Sequence, residues 1–172
     1  MFETSKPRMV SRYYPLLWLW LRLDQDRLRA AAFPLRTSAR KAPSWDVDHV
    51  VASSFWHEAV EQALENHEIS LDEVEDLKGR INQIGNCMLL EKNFNISKSA
   101  HPLDEWLDKV DQFADPDFRK SWSRSLGFKE SLRAPNGRSL NDLTAAFEER
   151  TAAIRTELAE YVRGERERVD ID

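Results

Sequence analysis

Trp45 to Trp56 reads WDVDHVVASSFW, and the fold turns on how this stretch is interpreted. Val47, Val50 and Val51 sit among alternating polar residues, which predicts a short strand over 45–51. Further along, Cys87, Met88, Leu89 and Leu90 form a compact apolar run after Gly85-Asn86, suited to a second, buried strand. Nearly everything around these two runs is spaced for helix. A first helix is predicted from about Tyr14 to Ala32, ended by Pro34. Others are predicted over Phe55–Asn66, over Ser70–Gln83 with Ser70 and Glu73 as a capping box, and from Asn93. Pro102–Phe113, Asp117–Leu126 and the long amphipathic Ser139–Arg163 follow, with a turn at Ala134–Gly137. The expected class is therefore α+β, mostly α.

Length and composition agree with one core. The chain has 172 residues and a mass of 20.1 kDa, which fits a single domain with helical extensions. Hydrophobic residues make up 41% and aromatics 10%, six of them Trp, enough apolar surface to exclude wholesale disorder. A lone cysteine, Cys87, excludes an internal disulfide framework and a Cys-rich structural zinc site, and points to a reducing compartment, the cytoplasm.

The net charge of −5 conceals an uneven distribution: +6 over residues 1–45, −10 over 46–111 and −1 over 112–172. A protein that held nucleic acid by bulk charge would be basic overall. This chain would need local basic patches or a metal ion held in its acidic middle. The connector 35–44 carries Arg36, Arg40 and Lys41, placed to touch phosphate. Tyr13 to Leu23 is about half of the ~20 residues a membrane span requires, so no membrane partner is expected. Asp24, Asp26, Arg27 and Arg29 stand where a signal peptide would need an uncharged cleavage region. Apolar side chains cover nearly every direction around this helix. Residues 10–32 should thus either pack beneath the closing helix or form an interface with a second chain.

One set of residues carries chemistry: Asp48-His49 on the first strand, Asn86 at the start of the second, and Asn95 and Lys98 just after it. Singly, each has an ordinary explanation: a surface ion pair, a turn residue, a helix cap. Together they supply a general base, hard oxygen ligands and a cation near phosphate, as metal-assisted phosphodiester hydrolysis needs. A physical objection stands against the set. Adjacent strand residues point to opposite faces, so Asp48 and His49 can converge only if the strand ends or bulges there; it should stop at or near His49.

The strings Trp45–Trp56 and INQIGNCMLLEKNFNISKSAHP, Ile81–Pro102, resemble the two halves of an HNH endonuclease, the ββα-metal or His-Me finger fold. The likeness is to the C-terminal nuclease domain of GmrSD-type modification-dependent restriction enzymes, with a pattern of Asp-His-Ile, Gly-Asn-Leu-x-Leu-Leu and Asn-x-x-Lys. The HNH domain of Cas9 is similar over the same residues. Phe147 to Ile154 with Leu158 resembles the closing helix of the restriction-type domain. The pattern departs at Ala52, where Pro is common, at Cys87, where Leu is common, and at Asn95, where His is frequent.

The resemblance implies a small ββα-metal core embedded in a helical domain. Residues 1–44 would form an N-terminal helix and basic connector, 45–163 the nuclease domain and 164–172 a charged tail. It implies His49 as general base, Asn86 as a further catalytic-site residue fixing the loop that presents His49, and Asp48 and Asn95 as ligands of Mg²⁺ or Mn²⁺. No structural zinc is expected. Lys98, and less directly Lys92, would contact phosphate. DNA is the implied substrate, in defence against foreign DNA, with target selection by an NTP-driven domain or partner subunit; this chain has no GxxxxGK[ST] loop. Trp106, Trp122 and Phe128, interleaved with Arg119, Lys120, Arg124, Lys129 and Arg133, either face nucleic acid or are core aromatics with solvated flanks. The competing function is a non-catalytic nucleic-acid-binding or protein-interaction module on the same fold.

Overall fold

The computed structural model describes residues 9–27 and 45–169. The connector with Arg36, Arg40 and Lys41 lies outside the described residues, as do residues 28–32 of the expected first helix and the last three of the tail.

Two strands, β1 (Trp45–His49) and β2 (Cys87–Glu91), pair antiparallel, with Trp45 opposite Glu91 and His49 opposite Cys87. Most of the remaining described residues are helical, so the fold is α+β and mostly α. A 3₁₀ turn (Met9–Tyr13) leads into α1 (Tyr14–Leu21) ahead of the hairpin. Between the strands lie α2 (Ser53–Glu65), a 3₁₀ turn (Leu71–Glu73), α3 (Val74–Gly79) and two further turns, Arg80–Asn82 and Ile84–Asn86. After β2 come α4 (Lys92–Lys98), α5 (Leu103–Leu107), a 3₁₀ turn (Asp111–Phe113), α6 (Pro116–Ser125), α7 (Glu130–Arg133) and α8 (Leu140–Val162).

The closing helix organises the core. Ser139 caps α8 by accepting from Asp142 N at 3.1 Å. Leu143, Phe147, Arg150 and Ile154 then recur at helical spacing as one buried stripe. That stripe meets α1, α2 and the Ile84–Asn86 turn, and Phe147 packs on Trp56 with ring centroids 5.0 Å apart. All five residues of β2 are buried. Leu17, Trp20 and Leu21 of α1 join the same core. Of the two placements open for the N-terminal segment, its described part therefore packs beneath the closing helix, leaving Tyr14 and Leu16 exposed. No helix among the described residues is long and apolar enough to cross a membrane.

Several elements differ from the sequence reading. β1 ends at His49, two residues short of Val51, because Val50 and Val51 bond to Asn86 instead of extending the ladder. α1 stops at Leu21, and Asp24 Oδ1 accepts from Arg27 N at 2.8 Å to start a new turn. The expected helix over 70–83 keeps its capping box, with Ser70 N donating to Glu73 Oε2 at 2.8 Å. It is otherwise divided into short 3₁₀ and α pieces ending at Gly79 and at Asn82. The helix expected from Pro102 stops at Leu107, where the chain turns to bury Phe113 between Trp106 and Trp122. Trp106, Trp122 and Phe128 are all core residues, so the aromatic half of the basic-aromatic segment faces inward.

Gly85 marks a close approach of two backbones. A Cβ there would overlap the Phe147 carbonyl of α8 and the Thr151 hydroxyl, to which Gly85 N donates at 3.1 Å. Gly85→Ala should lower the unfolding free energy by about 3 kcal/mol through overpacking. Gly79→Ala, whose Cβ meets nothing within 4 Å in a helical backbone, should raise it by roughly 0.5 kcal/mol. Urea denaturation of the two variants checks both signs.

Candidate active site

The site begins with a fully buried amide. Asn86 Oδ1 accepts from Val51 N at 2.8 Å, and Nδ2 donates to Val51 O and Ile81 O at 3.1 Å each. Val50 N donates in turn to Asn86 O at 2.8 Å. These bonds pull residues 50–51 away from the hairpin and stitch them to the turn before β2. Strand alternation therefore stops at His49, and Asp48 and His49 line one cleft. Asn86 is wholly enclosed, so the catalytic placement expected of it becomes a positioning one: it fixes the loop and touches nothing in the cleft.

The cleft encloses about 560 Å³ between the end of β1, the Arg80–Asn82 turn and α4. Among the described residues Asp48 is its one acidic lining residue, beside His49, Asn82, Asn95 and Lys98. Lys98 is 1% exposed in its side chain, and its Nζ donates to Asp48 Oδ2 at 3.0 Å and to His49 O at 2.8 Å. This corrects the expected phosphate contact. The ammonium is committed to holding Asp48 and the last strand carbonyl. Lys92, at the first position of α4, is exposed.

Asn95 and Asp48 face each other. With its nitrogen toward the carboxylate, the Asn95 amide donates to both Asp48 oxygens at 3.2 Å. Turned over, the same amide presents its oxygen to the same point, where two acceptors require a cation between them. One carboxylate and one amide oxygen are hard donors, a set that fits Mg²⁺ or Mn²⁺ better than a softer ion. Among the described residues no three His, Cys, Asp or Glu side chains converge as a metal site. Water would have to complete the shell of any ion held here.

Two residues were missed by the sequence reading. Asn82 Oδ1 lies 3.1 Å from His49 Nε2. An amide oxygen only accepts, so in this bond His49 Nε2 is the donor. Nothing in the sequence pattern marked Asn82. Arg150 of α8 donates through Nη1 to Gly85 O at 2.9 Å and Cys87 O at 2.7 Å, and so fixes the turn that contains Asn86. Its signal was legible: it stands three residues after Phe147 and four before Ile154, on the apolar stripe.

Family models, curated proteins and solved structures were each compared with the chain, and none matches.

Two outcomes follow from this geometry. Lys98→Met leaves Asp48 without its ion pair and the His49 carbonyl without a donor, and should lower stability by about 3 kcal/mol; calorimetric melting reads the loss. Cys87 Sγ donates to Gln83 O at 3.3 Å, and burial pushes its pKa from 9.0 to about 12. The native thiol should therefore resist a disulfide reagent at mildly alkaline pH and react only as the chain unfolds. A raised thiol pKa means that its share of stability is complete below pH 9.0 and lost as the pH climbs toward about 12.

Proposed function

We propose that the chain is a divalent-metal-dependent endonuclease of the HNH type, hydrolysing phosphodiester bonds in DNA. The observation that carries this reading is that β1 ends at His49 and puts Asp48, His49 and Asn95 on one cleft. Neither a surface ion pair nor a helix cap requires that convergence.

In this mechanism His49, oriented by its Nε2 contact with Asn82, takes a proton from the water that attacks phosphorus in line. Asp48 and Asn95 would hold Mg²⁺ or Mn²⁺. The ion, when bound, neutralises charge developing on the phosphate oxygens. Lys98 keeps the Asp48 carboxylate in place, and Asn86 and the Val50–Val51 loop keep His49 at the cleft wall. Lys92 is exposed at the first position of α4, beside the Trp45 end of the hairpin, and would meet a phosphate away from His49. By resemblance, the activity would serve defence against foreign DNA, with targets chosen by an NTP-driven domain or partner subunit.

A second reading has one observation in its favour. Lys98 already balances Asp48, so the cleft is close to neutral without an ion, as suits a module that grips nucleic acid without cutting it. Chelation separates the two readings, since DNA affinity without cutting would survive EDTA.

Supercoiled plasmid incubated with Mg²⁺ or Mn²⁺ should be nicked, and EDTA should stop the reaction. His49→Ala should slow cleavage by about 10²–10⁴-fold at unchanged melting temperature. Asp48→Ala and Asn95→Ala should weaken Mn²⁺ binding in calorimetric titration. Equal rates for wild type and His49→Ala would remove the nuclease assignment.

A further inference from the structure

A second cleft, of about 480 Å³, lies among α6, α8 and the segment after α1. Its charges are unequally matched. Arg27 Nη2 is held by both oxygens of Glu157 at 3.0 Å, Arg133 Nη1 by both oxygens of Asp104 at 2.9 Å, and Lys129 by Glu149. Lys120, Arg124 and Arg150 have no carboxylate partner among the described residues.

Arg150 is the unusual member. It is 4% exposed, and its Nε and Nη1 donate to main-chain carbonyls, while Nη2 has no hydrogen bond among the described residues. Its guanidinium stands 5.3 Å from the Trp20 ring, and Arg27 stacks on the same ring at 3.9 Å. Two guanidinium groups thus share one indole, and only Arg27 has a counter-anion. Burial lowers Arg150 to about 9, still above neutral pH, so it remains a cation. Carbonyls and ring faces offset part of the cost of a buried charge, and an anion would offset the remainder.

We propose that this cleft binds a phosphate monoester, with Arg150 at its floor and Lys120 and Arg124 at its rim. Guanidinium groups suit phosphate oxygens through their forked donors. The volume lies within the range of small-ligand sites and exceeds what a phosphate ion needs. Ala146, Ala153 and Phe128 give the walls an apolar character suited to the body of an ester. Two sources carry this chemistry, a free nucleoside monophosphate and the 5′-phosphorylated end of a nucleic-acid strand.

The site is tested on the full chain with EDTA present, so that no metal at the Asp48 cleft can hold the probe. Calorimetric titration with dAMP, deoxyadenosine, inorganic phosphate and a short oligonucleotide, with and without a 5′-phosphate, separates the contributions. We expect dAMP to bind and raise the melting temperature and deoxyadenosine to do neither. The exposed pair Lys120→Ala/Arg124→Ala should weaken dAMP at least about tenfold while melting normally without ligand. Tighter binding of the 5′-phosphorylated oligonucleotide than of dAMP assigns the site to strand ends, and the reverse assigns it to free nucleotides. Binding of deoxyadenosine as tight as dAMP, of inorganic phosphate as tight as either ester, or of dAMP undiminished in the double variant would overturn the proposal.

Discussion

Arg150 gives hydrogen bonds from inside the core to Leu126 O at 2.9 Å, Gly85 O at 2.9 Å and Cys87 O at 2.7 Å. Leu126 caps the C-terminus of α6, Gly85 lies in the turn before β2 and Cys87 is the first residue of β2, and a buried carbonyl without a donor is destabilising. One side chain of α8 therefore fastens the end of α6 and the turn into β2. Its ring contacts with Trp20 and Phe128 bring α1 into the same assembly. A leucine on this stripe would pack but would take the Arg150 donors away from all three carbonyls. The buried charge has a structural reason independent of any ligand.

The turn that Arg150 holds contains Asn86, and Asn86 determines what β1 can do. Its carboxamide bonds both the N–H and the C=O of Val51, much as a neighbouring strand would, but at an angle the hairpin cannot follow. The strand ends one residue before Val50, and its last two side chains reach the same cleft. Three links connect the helix to the chemistry: α8 to the turn through Arg150, the turn to the loop through Asn86, and the loop to His49. Asp48 is placed from the other side by Lys98 of α4.

How much of this was legible depended on the range of each interaction. The two strands, the capping box at Ser70 and the long closing helix rest on local periodicity and were readable from the sequence. The requirement that β1 stop at His49 was readable too, because side-chain alternation is a rule of the strand alone. Less accessible were features settled by partners distant in sequence. The helix after Ser70 breaks into turns that deliver Asn82 and Asn86, the helix after Pro102 gives way to bury Phe113, and Lys98 turns inward to Asp48, fifty positions away. A lysine on a short helix reads as solvated until its anion is located. Arg150 reads as a surface charge for the same reason, although its place on an apolar stripe argued otherwise.

The acidic middle of the chain illustrates the difference between charge in sequence and charge at a site. Residues 46–111 carry −10, which suggested a cluster able to hold a cation. In the folded chain Asp72, Glu73, Glu75 and Asp76 are exposed around α3, and Asp76 is bonded to Arg80 at 3.3 Å. Glu73 is engaged in capping Ser70, whose backbone N–H lowers the carboxyl pKa. The cleft itself is lined by a single carboxylate, already balanced by a buried ammonium. Under the proposed function, a phosphate diester at His49 would meet on the cleft walls one described carboxylate, already paired with Lys98. The negative charge of the middle segment is thus carried largely by exposed side chains such as those around α3, and is not gathered in the cleft.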